Sequence, residues 1–194
     1  MRAMSVPTEV DESRLIRLLR YLRGFPKMAL LMKKGSGIDK IRGFVDSDFA
    51  GCRRTRRSTS GGCLLWGSSM IRWWSKTQPT IALSTGETEL GAMAKGMVEG
   101  IGLSSILADF GVKAEFEVHS DATAAIGIAS RQGLGKIRHV AVADLWIQEC
   151  IKNGVVKVFK VAGNLNASDL LTKGLDGELM MRHLSTMGAH RRLS

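Results

Sequence analysis

The stretch GFVDSDFAGCRRTRRSTSGG, residues 43–62, joins a strand-like run to an arginine-rich loop. Asp46 and Asp48 stand inside the apolar run, and four arginines follow shortly after it. Apolar residues bounded by turn-forming glycine and serine predict a β-strand. The closeness of acid and base suggests two separate binding roles: the carboxylates hold one ligand and the arginines hold another.

The composition favours a globular protein with a polyanionic partner. The 194 residues include 28 Lys plus Arg against 18 Asp plus Glu, a net charge of +10, and 44% are hydrophobic. Such a charge suits nucleic acid or an anionic membrane surface, and the hydrophobic fraction excludes wholesale disorder. Three scattered cysteines without a CxxC pair argue against a disulfide framework and a zinc ribbon. The sequence has neither an apolar run of the ~18 residues that span a membrane nor a signal-peptide pattern, so we do not expect secretion.

The order of predicted elements indicates an α/β protein with a mixed sheet. Closely spaced strand-like runs suit an antiparallel meander, and later strands joined through helices suit parallel pairing. Glycines within the long central helix, which begins after Ser84, predict either close backbone packing or a weak helix. The predicted strands are 41–49, 62–66, 70–74, 79–83, 116–119 and 155–161. Helices are predicted from 84, from 121, over 139–154, over 166–175 and in the tail after 176.

A basic amphipathic helix is predicted near the N-terminus, in DESRLIRLLRYLRGFP, residues 11–26. The favoured interpretation is a surface helix that packs its leucine stripe on the protein; the alternative is docking to a membrane or a partner's groove. The turn-like KKGSG, residues 33–37, predicts a boundary near residue 36. The predicted organisation is an N-terminal tail and helix over 1–36, a main domain over 37–176 and a C-terminal tail over 177–194.

Four acidic residues occupy positions where a site could form. Asp46 lies in the first strand, Glu89 in the first turns of the long helix, Asp121 directly after a strand, and Asp169 at the start of the closing helix. Ligands of open α/β sheets bind outside the carboxyl ends of strands, and converging carboxylates need a cation to offset their repulsion. Oxygen ligands without His or Cys favour Mg²⁺ or Mn²⁺. From spacing alone, solvated surface acids stay open as the alternative.

Six segments, in order along the chain, closely resemble the ribonuclease H domain of copia-type LTR retrotransposon Pol polyproteins. The segment RLIRLLRYLRG resembles the helix before that domain, at the end of the reverse transcriptase connection. The resemblance covers about residues 41–175 and implies an RNase H-like mixed five-stranded sheet, with a three-strand antiparallel meander plus parallel strands, flanked by helices. The six segments are GFVDSDFAG, RRSTSGG, WWSKTQPTIALSTGETELGAMAKG, SDATAAIGIA, KIRHVAVADLWIQECIKNGVV and NASDLLTKGL.

The resemblance implies an RNA–DNA hybrid endoribonuclease that hydrolyses the RNA strand with two Mg²⁺ or Mn²⁺ ions. One ion of such a pair lowers the pKa of the attacking water and the other stabilises the leaving oxygen. Asp48 is the less favoured alternative to the first acid, and Glu87 is interpreted as a helix cap. The catalytic and metal-binding residues that the resemblance implies are Asp46, Glu89, Asp121 and Asp169.

The basic loop and its neighbours are predicted to bind the nucleic acid. Arginines there would hold phosphates without reading bases, and the alternative is a solvated loop. The hydroxyl residues after them would contact the sugar-phosphate backbone or form turns. Of the adjacent tryptophans, Trp73 is predicted to pack in the core and Trp74 to be partly exposed. The predicted nucleic-acid-binding residues are Arg53, Arg54, Arg56, Arg57, Ser58, Thr59, Ser60 and His139.

Departures from the family pattern leave a second functional hypothesis. Ala141 and Ala143 stand where the family has polar residues, and TKGL replaces a proline-containing ending. A catalytically weak or inactive nucleic-acid-binding remnant of the same fold is therefore the alternative to the nuclease. The partners implied are an RNA–DNA hybrid and the reverse transcriptase portion of the same polyprotein, with no membrane. The expected location is a cytoplasmic virus-like particle or the nucleus.

Overall fold

A computed structural model describes residues 6–32, 35, 38–131 and 142–191 of the chain. One helix and four strands precede the long helix Thr85–Asp109, and helices alternate with strands after it. The helices are α1 (Glu9–Gly24), α2 (Thr85–Asp109), α3 (Thr123–Ser130), α4 (Val142–Lys152) and α5 (Gly177–Thr186), with short 3-10 helices at Gly163–Leu165 and Ala167–Leu171. The strands are β1 (Met28–Leu30), β2 (Lys40–Ser47), β3 (Thr59–Trp66), β4 (Ser69–Thr77), β5 (Glu115–Ser120), β6 (Lys157–Lys160) and β7 (Ala189–Arg191).

The main sheet has five strands in the order β4-β3-β2-β5-β6. β2, β3 and β4 pair antiparallel as consecutive strands, whereas β2 with β5 and β5 with β6 pair parallel. Parallel neighbours need a crossover, and helices supply it here between β2 and β5 and between β5 and β6. The predicted mixed five-stranded sheet, with an antiparallel meander plus parallel strands flanked by helices, is confirmed.

The fourth predicted strand, residues 79–83, is wrong. This segment is an irregular connection between β4 and α2. Pro79 has no N–H to donate to a sheet ladder, and Ile81 and Leu83 are exposed, so the segment offers a sheet neither a full set of donors nor a buried face. It ends at Ser84, whose hydroxyl caps α2 by accepting from the N–H of Glu87. The Glu87 side chain accepts in turn from the N–H of Leu83, at 2.7 Å, which agrees with its interpretation as a cap.

Helix α2 lies directly against the sheet and forms the core with it. A Cβ added at Gly96 would lie 2.4 Å from a methyl carbon of Val45, and one at Gly100 would lie 1.9 Å from the ring of Phe116. Because neither position has room for a side chain, the backbone of α2 approaches β2 and β5 closely. Close packing, one of the two interpretations of these glycines, is therefore the one that the structure supports.

The two tryptophans of β4 are placed opposite to the prediction. Trp74 is buried, at 9% exposure, and Trp73 is 60% exposed. Alternation along the strand puts only one of them on the core face, and Trp74 is opposite Gly62 of β3. A Cβ at Gly62 would lie 2.2 Å from the Trp74 indole, so the missing side chain of that glycine makes room for the ring.

The first and last described segments pair with each other. β1 and β7 form a two-stranded antiparallel sheet, which the sequence analysis did not predict. Helix α1 is found where predicted, but it has no buried residue, so the expected packing of its leucine stripe on the protein is wrong. The boundaries at residues 36 and 176 stay predictions. Within the described ranges, no helix has the length and apolar character needed to cross a bilayer.

Candidate metal centre and nucleic-acid interface

Three of the four predicted acids meet at one edge of the sheet. Asp46 lies near the end of β2, Asp121 directly follows β5, and Asp169 lies in the 3-10 helix Ala167–Leu171. Parallel pairing brings the carboxyl ends of β2 and β5 to the same edge. One carboxylate oxygen from each aspartate lies within 4.8 Å of the others. Three segments that are distant along the chain thus present acidic oxygens to one small volume.

Asn166 ties these segments together. It is fully buried, and its side-chain N–H donates to the carbonyl of Val45 at 3.0 Å and to Asp121 Oδ1 at 3.1 Å. Its side-chain oxygen accepts from the Ser168 hydroxyl at 2.6 Å, and it caps the 3-10 helix that carries Asp169. The sequence analysis missed this role; the signal available was an Asn in the N-cap position of a short helical segment.

Gly61 of β3 allows the segment that follows Asp169 to lie against the sheet. A Cβ at this position would lie 2.6 Å from the Thr172 methyl and 2.9 Å from Leu171 Cβ. The Gly61 position is paired with Asp46 in the β2–β3 ladder. The absence of a side chain there therefore brings residues 171–172 next to the first acid.

Glu89 stands beside the three aspartates without completing their cluster. It is buried, at 7% exposure, and its Oε2 atom has no hydrogen-bond partner among the residues that the structure describes. Burial, followed by the negative charges of Asp46 and Asp121, raises the pKa of Glu89 to about 8. A buried carboxylate oxygen without a partner is costly, and a cation would satisfy it.

This set of donors fits a hard divalent cation. The oxygens come from carboxylates of Asp46, Asp121 and Asp169, with Glu89 adjacent, and none of the four side chains is a His or Cys. Mg²⁺ and Mn²⁺ prefer such oxygen ligands, whereas zinc sites of proteins favour nitrogen and sulfur. The orphan oxygen of Glu89 gives a further atom that is not already engaged by a donor of the described residues.

Lys173 places a cation directly on two of the carboxylates. Its Nζ atom lies 3.1 Å from Asp46 Oδ1 and 3.0 Å from Asp169 Oδ1. The Thr172 hydroxyl donates to the other oxygen of Asp46. Burial raises the pKa of Asp46, although the hydrogen bond from Thr172 and the charge of Lys173 oppose that shift. Burial lowers the pKa of Lys173, but the hydrogen bond to Asp169 and the charge of Asp46 outweigh it and raise that pKa overall.

Lys173 was not among the predicted site residues. It lies within the segment NASDLLTKGL, residues 166–175. The signal was its position four residues after Asp169, which is the spacing of ion pairs on one helical face. Here the segment is a 3-10 helix that ends at Leu171, yet the i, i+4 contact forms.

The arginine loop, residues 48–58, is held by its own hydrogen bonds. Asp48 accepts from the N–H of Thr59, and its carboxylate is therefore engaged within the loop, in support of Asp46 as the first acid. The N–H of Arg56 donates to the carbonyl of Cys52 at 2.7 Å, with Arg56 in the left-handed region at φ 56°. The four arginine side chains, Arg53, Arg54, Arg56 and Arg57, are exposed. The loop thus has a defined backbone that presents its positive charge to solvent.

The hydroxyl residues after the arginines are mostly turned inward. Ser58 and Ser60 are 1% and 5% exposed; the Ser58 hydroxyl accepts from the N–H of Ala50, and that of Ser60 accepts from the Gln78 amide. Thr59 is half-buried. Both hydroxyls are therefore engaged inside the protein, with Ser60 in strand β3 and not in a turn, and the contact with the sugar-phosphate backbone stays a prediction.

Of the histidines His119 and His139, only His119 lies among the residues that the structure describes. The predicted contact at His139 lies outside the described residues. His119 lies in β5, where its ring stacks between Phe44 and Phe159 with centroid distances of 5.0 and 5.4 Å. This aromatic stack gives His119 a structural role between β2 and β6.

The chain is similar in sequence to Pol polyproteins of transposons. The chain is 33% identical over 158 residues, 80% of its length, to the retrovirus-related Pol polyprotein from transposon TNT 1-94 of Nicotiana tabacum. It is 27% identical over 191 residues, 97% of its length, to that from transposon RE1 of Arabidopsis thaliana. The chain spans only 12% and 13% of these two relatives. No protein-family model matches it.

Among solved structures, the chain is similar to LC11-RNase H1 in complex with an RNA/DNA hybrid. It is 17% identical, with a TM-score of 0.49, and the match covers 68% of this chain and 93% of that one.

Proposed function

Because this chain is a homologue of the retrovirus-related Pol polyproteins of transposons, we propose that it is an RNase H-type endonuclease that cleaves the RNA strand of RNA–DNA hybrids. The observation that carries the proposal is the convergence of Asp46, Asp121 and Asp169 within 4.8 Å, beside the buried Glu89, whose Oε2 atom has no hydrogen-bond partner among the described residues. The four acids belong to separate segments of the sequence. Acidic side chains that served only solubility would have no reason to lie this close together in the fold.

The four carboxylates would hold the divalent ions that this chemistry requires. Two ions, Mg²⁺ or Mn²⁺, supply Lewis-acid activation of water and stabilisation of the leaving oxygen. Among the four, Asp46 is 1% exposed and one of its oxygens lies within 4.8 Å of an oxygen of each other aspartate, so it would take part in holding the ions. Asn166 orients Asp121 through its 3.1 Å hydrogen bond, as outer-shell groups do for metal ligands.

The basic loop would position the substrate. It starts directly after β2, the strand that carries Asp46, and its four arginines are exposed. Arginines bind phosphates without reading bases, which suits a nuclease that acts on hybrids of any sequence. The preference for a hybrid, and for its RNA strand, rests on the resemblance to the retrotransposon domain.

The experiment is cleavage of a labelled RNA–DNA hybrid in the presence of Mg²⁺ or Mn²⁺. We expect RNA fragments that disappear on addition of EDTA and in the Asp121→Asn variant. The matched control is Asp109→Asn, which removes an exposed acid at the end of α2 and is expected to cleave like the wild type. A DNA duplex tests for a DNA nuclease on the same fold. Cleavage that survives EDTA, or that is lost equally in both variants, would contradict the proposal.

The second candidate function is hybrid binding without cleavage. The observation that favours it is the contact of Lys173 with Asp46 and Asp169, because it neutralises part of the carboxylate charge without a metal. Tight hybrid binding with intact RNA at every Mg²⁺ and Mn²⁺ concentration would support this alternative over the enzyme.

A further inference from the structure

The position of the Lys173 ammonium group has a consequence for metal loading. Nζ lies 3.0–3.1 Å from one oxygen each of Asp46 and Asp169, and both aspartates belong to the cluster proposed to hold metal. We propose that Lys173 is a built-in competitor of the divalent ions: its ammonium group pairs these carboxylates in the metal-free protein and leaves when metal binds. This inference rests on the proposed function.

Both oxygens of Asp46 already have donors within the protein. Lys173 approaches Oδ1, and the Thr172 hydroxyl donates to Oδ2. Asp46 is buried, so its carboxylate has little freedom to turn toward a new partner. A divalent cation bound to both Asp46 and Asp169 would lie close to the Lys173 ammonium group. The two positive charges would then repel each other. Metal loading therefore requires the ammonium group to move.

The side chain of Lys173 is able to make that movement. It is 41% exposed, whereas the Asp46 and Asp169 side chains are 1% and 11% exposed. A lysine has a flexible four-carbon stem and a head that water solvates well. Its backbone is meanwhile fixed, because its N–H donates to the carbonyl of Asp169 at 2.9 Å. The head group can thus leave for solvent while the carboxylates stay in place.

The first test is Mn²⁺ binding to the full chain, measured by calorimetry and by Mn²⁺ electron paramagnetic resonance. Lys173→Met removes the charge and keeps a long apolar stem, so we expect the Kd for Mn²⁺ to fall about tenfold. Lys173→Arg keeps the charge and is expected to bind no more tightly than the wild type. The matched control is Lys157→Met, which removes a similarly exposed lysine that pairs with Glu115 at 2.7 Å on another part of the sheet; its Kd should not change.

The second test uses the unmodified protein and so does not depend on whether a variant folds. A lysine released from two carboxylates reacts faster with an acylating reagent. Peptide mass spectrometry should therefore show more rapid acetylation of Lys173 when Mn²⁺ is added, with Lys157 as the internal reference. A metal-independent rate at Lys173 would overturn the displacement.

The outcomes separate this inference from the function on which it rests. If neither the wild type nor Lys173→Met binds Mn²⁺, the metal centre and the competition are both wrong. If the wild type binds Mn²⁺ but Lys173→Met binds it equally or more weakly, only the role of Lys173 is overturned. Tighter binding in Lys173→Met together with metal-dependent acetylation of Lys173 supports the inference.

Discussion

At the scale of single residues, the electrostatics of the acidic site depend on Glu89. It is buried with one unpartnered oxygen beside Asp46 and Asp121, whereas Lys173 is in direct contact with Asp46 and Asp169. The consequence is a pKa of about 8 for Glu89, so that this side chain is mostly neutral in the folded protein at neutral pH. A divalent ion would reverse that preference by stabilising the charged form.

We predict that metal-free protein loses stability as the pH rises from 4.5 to about 8. The ordinary pKa of Glu89, 4.5, describes the unfolded chain, and the folded value is about 8. Its contribution is therefore fully present below pH 4.5 and is lost as the pH rises through 8, by on the order of a few kcal/mol. Urea unfolding in EDTA at pH 5–9 should show this slope in the wild type and less of it in Glu89→Gln.

The control for this measurement is Glu178→Gln, because that side chain is 87% exposed on α5. Its pH dependence should match that of the wild type. The raised pKa of Asp46 acts in the same direction in all three proteins, so the difference between the wild type and Glu89→Gln isolates Glu89. Parallel pH profiles for these two proteins would contradict the prediction.

The sequence identifies the charged residues of the site more readily than the residues that hold these charges in position. Asp46, Asp121 and Asp169 could be identified because an acid in or after a strand is conspicuous and the resemblance marks it. Asn166 could not, since its bonds to Val45 and Asp121 form only when folding brings together positions that are 121 and 45 apart along the chain.

At the scale of elements, the placement of α2 determines where Glu89 lies. The helix carries Glu89 in its first turns and Gly96 and Gly100 against the sheet. These glycines are costly for helix propensity, at about 1 kcal/mol each relative to Ala, and close approach offsets that cost. A side chain at either position would push α2, and Glu89 with it, away from β2 and β5.

We predict opposite effects for two neighbouring glycines of α2. Gly100→Ala places a methyl group 1.9 Å from the Phe116 ring and should destabilise the protein by about 1–3 kcal/mol. Gly102→Ala meets nothing within 4 Å and should stabilise it by up to about 1 kcal/mol through helix propensity. Urea unfolding of both variants measures this difference. Equal effects of the two substitutions would show that close packing of α2 is not the cause.

Element prediction succeeded where periodicity and turn residues agree. β2, β3, β4 and β5 are found at the short apolar runs between turn residues, and α2 is found where the helical spacing predicts it. Residues 79–83 failed because an apolar run next to Pro79 can be an irregular connection as easily as a strand. The pairing of β1 with β7 joins residues about 160 positions apart, and no local pattern in three-residue strands can indicate it.

At the scale of the whole molecule, the basic residues behind the net charge of +10 differ in their distance from the acidic site along the chain. The arginine loop lies next to the acidic site, whereas the arginines of α1 lie on a helix that packs no residue in the core. Both groups are exposed, so net charge alone would give them equal influence on nucleic-acid binding. The proposed function predicts that position decides which group matters.

We predict that replacing Arg53, Arg54, Arg56 and Arg57 by Gln weakens hybrid binding and reduces its salt dependence. Each lost phosphate contact lowers the slope of log K against log salt by roughly 0.9 on duplex DNA, so four lost contacts lower it by about 3.6. The matched control replaces Arg14, Arg17, Arg20 and Arg23 of α1 by Gln, with the same change in charge. Fluorescence anisotropy at several salt concentrations should show a clearly smaller effect for the control. Equal losses would assign the binding to net charge alone.

A crystal soaked in Mn²⁺ and measured at the manganese absorption edge tests the proposed metal centre. This metal centre predicts anomalous peaks at the edge of the sheet, about 2.0–2.2 Å from carboxylate oxygens of Asp46, Asp121 and Asp169, with Glu89 as a further ligand. Anomalous peaks only elsewhere, with the three aspartates still paired to protein donors at saturating Mn²⁺, would contradict it.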